Sequence, residues 1–225
     1  MEVLTAERRI RNHLILALGV VSTLGVAAKA GVDGGALDRM SFVSAYQCLL
    51  LLGAALLIGP IKAWDSGFPV GNSHTRRDVG IWAGITGMLH FFLANVLSMN
   101  YSYLEFFVDN ATRPPSAEVR SQLYTTGTIT GYVVALLFLI LMALSNDIWV
   151  RKIGMRWWKR LQRMSYLVFG LTVAHAFLFQ ILESRSRRWI LGVGLVTIGV
   201  VFAQIWGMRA VNRGPLKKRV NGNSH

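Results

Sequence analysis

Two histidines lie inside long apolar stretches of the chain, where an ionisable ring is energetically unfavourable unless it has a specific role. His90 stands in GITGMLHFFLAN (residues 84–95), and His175 stands in LTVAHAFLF (residues 171–179). Removal from water favours the neutral imidazole, which is the form that binds metal ions. A single buried histidine is often a hydrogen-bonded packing residue. The chemistry therefore depends on which elements carry the two rings and whether those elements bring them together.

The elements are long apolar runs. The chain has 225 residues, of which 53% are hydrophobic and 16% charged, whereas soluble domains carry roughly 25% charged residues. Six runs have about the 20 residues that a helix needs to cross the hydrocarbon core. We predict an all-α integral membrane protein, a six-transmembrane-helix bundle in the lipid bilayer, with residues 1–225 as a single transmembrane domain. The spans are about 13–31, 42–62, 79–100, 127–145, 164–182 and 189–207, and 208–225 form a basic tail.

The positive charge of the chain is unevenly distributed between the two sides of this bundle. With Lys29 assigned to the first loop, 17 of the 24 Lys and Arg residues lie on the side of the termini. The positive-inside rule then places both termini in the cytoplasm. The net charge of +13 therefore reflects topology rather than binding to nucleic acid. The start of the chain also resembles a signal peptide, but we predict a retained first helix.

His90 and His175 are predicted at matched depth on parallel helices. Each lies twelve residues after the last charge before its span, Asp78 or Arg163, which is about 18 Å along a helix. Ala83, Gly87 and Ala94 share the face of His90 and would leave a slot for a flat macrocycle; the alternative for these small residues is close helix packing. Two facing histidines with small neighbours indicate the axial ligands of a b-type heme.

Longer motifs carry a resemblance to a known family. RRDVGIWAGITGMLHFF, followed by RKIGMRWWKRLQRMSYLVFGLTVAHAF, is similar to the ferric-reductase-like transmembrane family. The greatest similarity is to the heme-binding membrane subunits of bacterial periplasmic methionine sulfoxide reductase systems. The resemblance implies a bacterial inner-membrane protein that carries electrons through heme b, with His90 and His175 as axial ligands to the heme iron. It also implies a redox partner protein or reductase.

The chain departs from that family in the cytoplasmic half. Members with two stacked hemes have further histidines where this chain has Arg77 and Gln162, so we predict one heme, in the outer half. Another carrier, FMN or a quinone, is then possible near Arg77, Trp157 and Gln162, since Arg and Lys suit phosphate. The alternative for this basic region is anchoring to anionic lipid.

Two functions of different classes follow. The first is a heme b membrane subunit that carries electrons from a cytoplasmic or membrane donor, flavin or quinol, to an outer acceptor. The chain shows no GxGxxG motif, so it would be an electron-transfer subunit of an oxidoreductase rather than a self-contained enzyme. The alternative is a non-redox structural or accessory subunit of a larger membrane complex. A transporter is disfavoured, because Asp and Glu lie outside the predicted spans.

Overall fold

The computed structural model describes residues 2–29, 35–64, 73–99, 115–182 and 186–220, and it is helical throughout these ranges apart from short turns. No strand occurs within them. In chain order the helices are α1 Glu2–Lys29, α2 Ala36–Trp64, α3 Ser73–Met99, α4 Pro115–Leu144, α5 Asp147–Gln162, α6 Met164–Leu182 and α7 Arg187–Val220.

Six stretches of these helices are long and apolar enough to cross a membrane: Glu7–Lys29, Ala36–Lys62, His74–Leu97, Val119–Leu144, Arg156–Leu182 and Arg187–Arg209. Their outward faces are apolar. On α7, for example, Leu191, Leu195 and Ile198 are 64%, 70% and 67% exposed, and this spacing forms one stripe along a helix. A stripe of this kind is typical of a surface that faces lipid or another protein rather than water. The prediction of an all-α, six-span membrane protein is confirmed, while the side on which the termini lie stays a prediction.

The bundle is organised around α2, which packs against α1, α3, α6 and α7, while α4 packs against α3 and α6. Its core lies where these helices meet. The buried apolar side chains there come from five of the helices: Leu49, Leu52 and Leu56 of α2, Ala83 of α3, Phe138 of α4, Val168 and Phe169 of α6, and Val193 and Val200 of α7. Because α3 and α6 both border this core, side chains from the two can reach one another.

Helix α1 is held to the bundle by polar contacts. The guanidinium of Arg39 on α2 donates to the carbonyl oxygens of Ala27 and Ala28, at 3.1 and 2.8 Å. These are among the last carbonyls of α1, which have no partner within the helix. Further along, Gln47 of α2 donates to the carbonyl oxygen of Val20 at 3.1 Å. Helix α1 is thereby fixed alongside α2 although many of its apolar side chains face outward.

Helix α5 begins with an N-cap and contains one sharp change of direction. The Asn146 side chain accepts a hydrogen bond from the backbone N–H of Ile148 at 3.0 Å, as an N-cap residue does. Gly154 has φ 77° and ψ 153°, a conformation that glycine adopts without steric cost. The indole of Trp158 donates to the carbonyl oxygen of Leu144 at 2.9 Å. The segment therefore folds back against the end of α4.

The structure corrects several boundaries. Lys29, assigned above to the first loop, is the last residue of α1, and residues 115–126, which precede the fourth predicted span, form the start of α4, beginning at Pro115. The reason is that proline is favoured in the first turn of a helix. Residues 151–163 lie between the fourth and fifth predicted spans and are mostly helical in α5. The predicted basic tail, 208–225, begins within α7, which continues as far as Val220, and residues 221–225 lie outside the described part.

Candidate functional site: a histidine pair inside the helix bundle

The two intramembrane histidines meet between α3 and α6. The centres of the His90 and His175 rings are 6.3 Å apart, and their planes differ by 73°. Both rings are half-buried. The pair lies in the half of the bundle where α2 begins and α3 ends, since His90 contacts Ser41 in the second turn of α2. The two rings, predicted from the sequence at matched depth, therefore lie close to each other in the structure.

The hydrogen bonds of His90 define its tautomer. Its Nδ1 lies 2.9 Å from the carbonyl oxygen of Ser41 and 3.2 Å from the hydroxyl oxygen of the same residue. A carbonyl oxygen can only accept, so Nδ1 carries the proton and donates. The Ser41 hydroxyl then accepts a second, longer branch of the same bond. In the neutral ring this leaves Nε2 with a free lone pair, as in metal-binding histidines.

His175 is arranged in the same way by α4. Its Nδ1 lies 2.9 Å from the carbonyl oxygen of Gly127, so Nδ1–H donates and Nε2 again holds the lone pair. The ring rests against Gly131: a Cβ atom at that position would lie 2.8 Å from Cε1 and 3.2 Å from Nδ1 of His175. Phe179, one turn further along α6, contacts His175 with ring centres 4.9 Å apart.

The distance between the two ring centres fits two imidazole ligands of one metal. Imidazole nitrogens bind first-row metals at about 2 Å, so two rings sharing one metal have their centres on the order of 6 Å apart. Within the described ranges, no group of three or more His, Cys, Asp or Glu residues could hold a metal ion. Two histidines are few for a bare ion, whereas in heme the macrocycle supplies the remaining nitrogens. The donor set therefore fits a heme better than a protein-only metal site.

The predicted heme slot is occupied by ordinary packing contacts at two of its three positions. Ala83 is fully buried in the core. A Cβ at Gly87 would lie 2.9 Å from Sγ of Cys48 and 3.3 Å from the ring of Phe138, and Ala94 is half-buried near the end of α3. The contacts at Ala83 and Gly87 are those of close helix packing. A role for the three residues in holding heme stays a prediction.

The residues proposed for a flavin or quinone lie in different surroundings. Arg77 is buried near the start of α3. Trp157 is 61% exposed on α5, and the guanidinium of Arg160 lies over its ring at 4.8 Å. Gln162 is half-buried at the end of α5. Exposed tryptophan and arginine at a helix surface suit an interface with anionic lipid, and a second carrier at these residues stays a prediction.

A second polar cluster lies nearer the opposite end of the bundle. The Asp78 side chain is fully buried on α3 and faces three side chains of α1: Arg9 Nε at 3.3 Å, Asn12 Nδ2 at 3.2 Å and His13 Nε2 at 3.4 Å. The indole of Trp82 donates to Nδ1 of His13 at 3.0 Å, so that Nδ1 carries no proton. Asp78 therefore joins α1 to α3, a role that the sequence reasoning missed.

Sequence reasoning also missed the residues that orient the two rings. The carbonyl oxygens of Ser41 and Gly127 leave no trace in the sequence, because every residue has one. Gly127 and Gly131 do leave a signal. They are four residues apart on α4, matching His175 and Phe179 on α6, and a Cβ at Gly127 would lie 2.8 Å from the ring of Phe179. Two small residues at this spacing mark a face where another helix approaches closely.

The fold and the site define a class: a multi-pass integral membrane protein with a histidine pair inside its helix bundle. No family model and no solved structure matches the chain. Among curated proteins, 151 residues are 28% identical to the protein-methionine-sulfoxide reductase heme-binding subunit MsrQ of Rhizobium meliloti (strain 1021).

The aligned region covers 67% of this chain and 62% of that relative, so the chain matches less than two thirds of the relative's length. The similarity to heme-binding subunits predicted from the sequence is thus supported. The wider ferric-reductase-like domain is not confirmed by a family model.

Proposed function

We propose that the chain is a heme b membrane subunit that passes electrons across the bilayer, with His90 and His175 as the axial ligands of one heme. The observation that carries this proposal is the pair of Nδ1-protonated rings with centres 6.3 Å apart. A purely structural subunit would have little use for the histidine pair, because ionisable groups inside a membrane are energetically costly and usually have a function. The similarity to a heme-binding subunit supports the same cofactor.

The residues of the chain have distinct tasks in this proposal. The carbonyl oxygens of Ser41 and Gly127 hold the Nδ1–H groups and so direct the Nε2 lone pairs of the two histidines to the iron. Gly131 lets the ring of His175 lie against α4. The apolar helices around the pair keep water away from it. Such a hydrophobic shell would influence the reduction potential of a bound heme. A heme b held by these residues would supply one-electron chemistry.

The electron path needs partners at both ends. The donor is a flavin or quinol on the cytoplasmic side or in the membrane, and the acceptor lies on the outer side, where the histidine pair is predicted. The relative's name points to a methionine sulfoxide reductase as the acceptor. These assignments rest on the predicted orientation, with both termini in the cytoplasm of a bacterial inner membrane.

The test is the visible spectrum of the purified protein. Oxidised and dithionite-reduced spectra and a pyridine hemochrome assay would be recorded for the wild type, His90→Ala and His175→Ala. His13→Ala is the matched control, because His13 also lies within the helix bundle but faces Asp78 on α3. We expect one b-type heme per chain in the wild type and in His13→Ala. We expect no heme in His90→Ala or His175→Ala.

Two outcomes would contradict the proposal in different ways. A well-folded wild-type protein that stays colourless when heme is supplied would exclude the redox function and leave the structural or accessory subunit as the better interpretation. Two hemes per chain would keep the electron-transfer function. They would show that the half of the bundle containing Arg77 and Gln162 also binds a heme, contrary to the prediction of a single heme.

A further inference from the structure

The carbonyl oxygen of Ser41 is shared between two side-chain donors. It accepts the Nδ1–H of His90 at 2.9 Å and the hydroxyl of Ser44 at 2.9 Å. As residue 41 lies inside α2, the same oxygen also accepts a backbone N–H of the next turn. A carbonyl oxygen has two lone pairs, so three donors compete for them.

We propose that Ser44 sets the reduction potential of the heme site by competing with His90 for the Ser41 carbonyl oxygen. This inference rests on the proposed function and adds a positioning residue to it. The Ser44 side chain is fully buried, and its hydroxyl donates to the Ser41 carbonyl oxygen rather than to either histidine. It would act only through the strength of the His90 hydrogen bond.

The physical link is the basicity of the ligand. A stronger hydrogen bond from Nδ1–H makes the imidazole more electron-rich, and an electron-rich ligand favours ferric over ferrous iron. Removing the Ser44 hydroxyl frees the carbonyl oxygen for His90 and should lower the potential. Removing the Ser41 hydroxyl, which accepts the longer 3.2 Å branch, weakens the bond and should raise it. The two serines therefore act in opposite directions.

A merely structural role for Ser44 makes a different prediction. Serine hydroxyls inside helices commonly bond to a carbonyl of their own preceding turn, with a small effect on the helix. Thr172 is a control of that kind: it is buried on α6, three residues before His175, and its hydroxyl donates to the carbonyl oxygen of Val168 at 2.8 Å. Thr172→Val removes such a bond close to the pair without touching the acceptor of either ring.

The experiment is a redox titration of the heme in the full-length protein. We expect a lower midpoint potential for Ser44→Ala, a higher one for Ser41→Ala and no shift for Thr172→Val. Ser44→Cys should lie between Ser44→Ala and the wild type, because a thiol is a weak donor. Shifts of the same sign in the two serine variants would overturn the proposal. So would a Ser44→Ala potential equal to that of Thr172→Val.

A second measurement needs no heme. The chain has five histidines, so the Nδ1–H proton of His90 can be assigned by nuclear magnetic resonance in histidine-labelled protein. In Ser44→Ala this proton should move downfield, as in a stronger hydrogen bond, while that of His175 stays in place. An unmoved His90 proton refutes the inference whether or not heme binds. Absence of heme in the wild type refutes the proposed function instead.

Discussion

Replacing Gly131 with alanine would place a methyl group against the ring of His175. The Cβ atom would lie 2.8 Å from Cε1 and 3.2 Å from Nδ1 of that ring. Optimal contacts between carbon atoms are about 3.5–4.0 Å, so the ring has to retreat by roughly 0.7 Å or more. The opposing backbone of α4 has little freedom to move, because it lies within a continuous helix.

The retreat would break the bond that orients His175. The Nδ1 atom now lies 2.9 Å from the carbonyl oxygen of Gly127, and a further 0.7 Å would exceed the distance of a side-chain hydrogen bond, about 3.5 Å. Losing a buried hydrogen bond costs about 1–1.5 kcal/mol, which corresponds to roughly tenfold weaker heme binding. The helix itself gains, since alanine favours helix over glycine by about 1 kcal/mol.

The assay is titration of heme into the protein purified without it, followed by absorbance. Gly131→Ala should bind heme about tenfold more weakly than wild type, while its unfolding temperature is unchanged or slightly lowered. Gly170→Ala is the control, because it makes the same substitution on the helix of His175 and a Cβ there meets nothing within 4 Å. That variant should bind heme as the wild type does.

Equal heme affinity in Gly131→Ala, Gly170→Ala and wild type would refute the reasoning. It would mean that the ring of His175 can be displaced without consequence, and hence that its contact with α4 does not position a ligand. A similar loss in both variants would point to a general sensitivity of the bundle. In that case Gly131 would have no special role.

Two further substitutions test other parts of the structure. Asp78→Asn removes the buried charge that faces Arg9, and we expect a loss of roughly 2 kcal/mol in unfolding free energy with an unchanged heme spectrum. Asp38→Asn at an exposed site serves as its control, and equal stability of the two variants would argue against the cluster. Gly87→Ala should lower thermal stability, because its Cβ lies 2.9 Å from Cys48 Sγ, and Cys48→Ala should restore it. If heme binding falls in Gly87→Ala and the second substitution does not restore it, the slot is supported over simple packing.

The number of membrane spans and the meeting of the two histidines could be predicted because both depend on local patterns. A run of about 20 apolar residues specifies a span without reference to its neighbours. Equal offsets of His90 and His175 from flanking charges place both rings at one depth. The sequence was less informative at helix ends, where Pro115 starts α4 instead of preceding it.

The contacts that depend on pairing between helices could not be predicted. The role of Gly131 requires knowing that α4 lies against α6, and that of Asp78 requires knowing that α1 turns Arg9 and His13 toward α3. In lipid, apolar side chains give little guidance on which helices pair. Small residues and polar side chains carry that information, and they acquire meaning only once the partner helix is known.

Both histidine rings are oriented by main-chain oxygens, those of Ser41 and Gly127. A main-chain carbonyl survives any substitution at its own position, so no single change at residue 41 or 127 deletes the acceptor. The tautomers of the two histidines therefore persist when the residue that provides the acceptor is substituted. A supporting carboxylate would be lost with its residue. Substitution should instead be restricted at Gly127 and Gly131, where an added Cβ atom would lie 2.8 Å from the rings of Phe179 and His175. In this site the missing side chains of two glycines are harder to replace than the side chain of any residue that provides an acceptor.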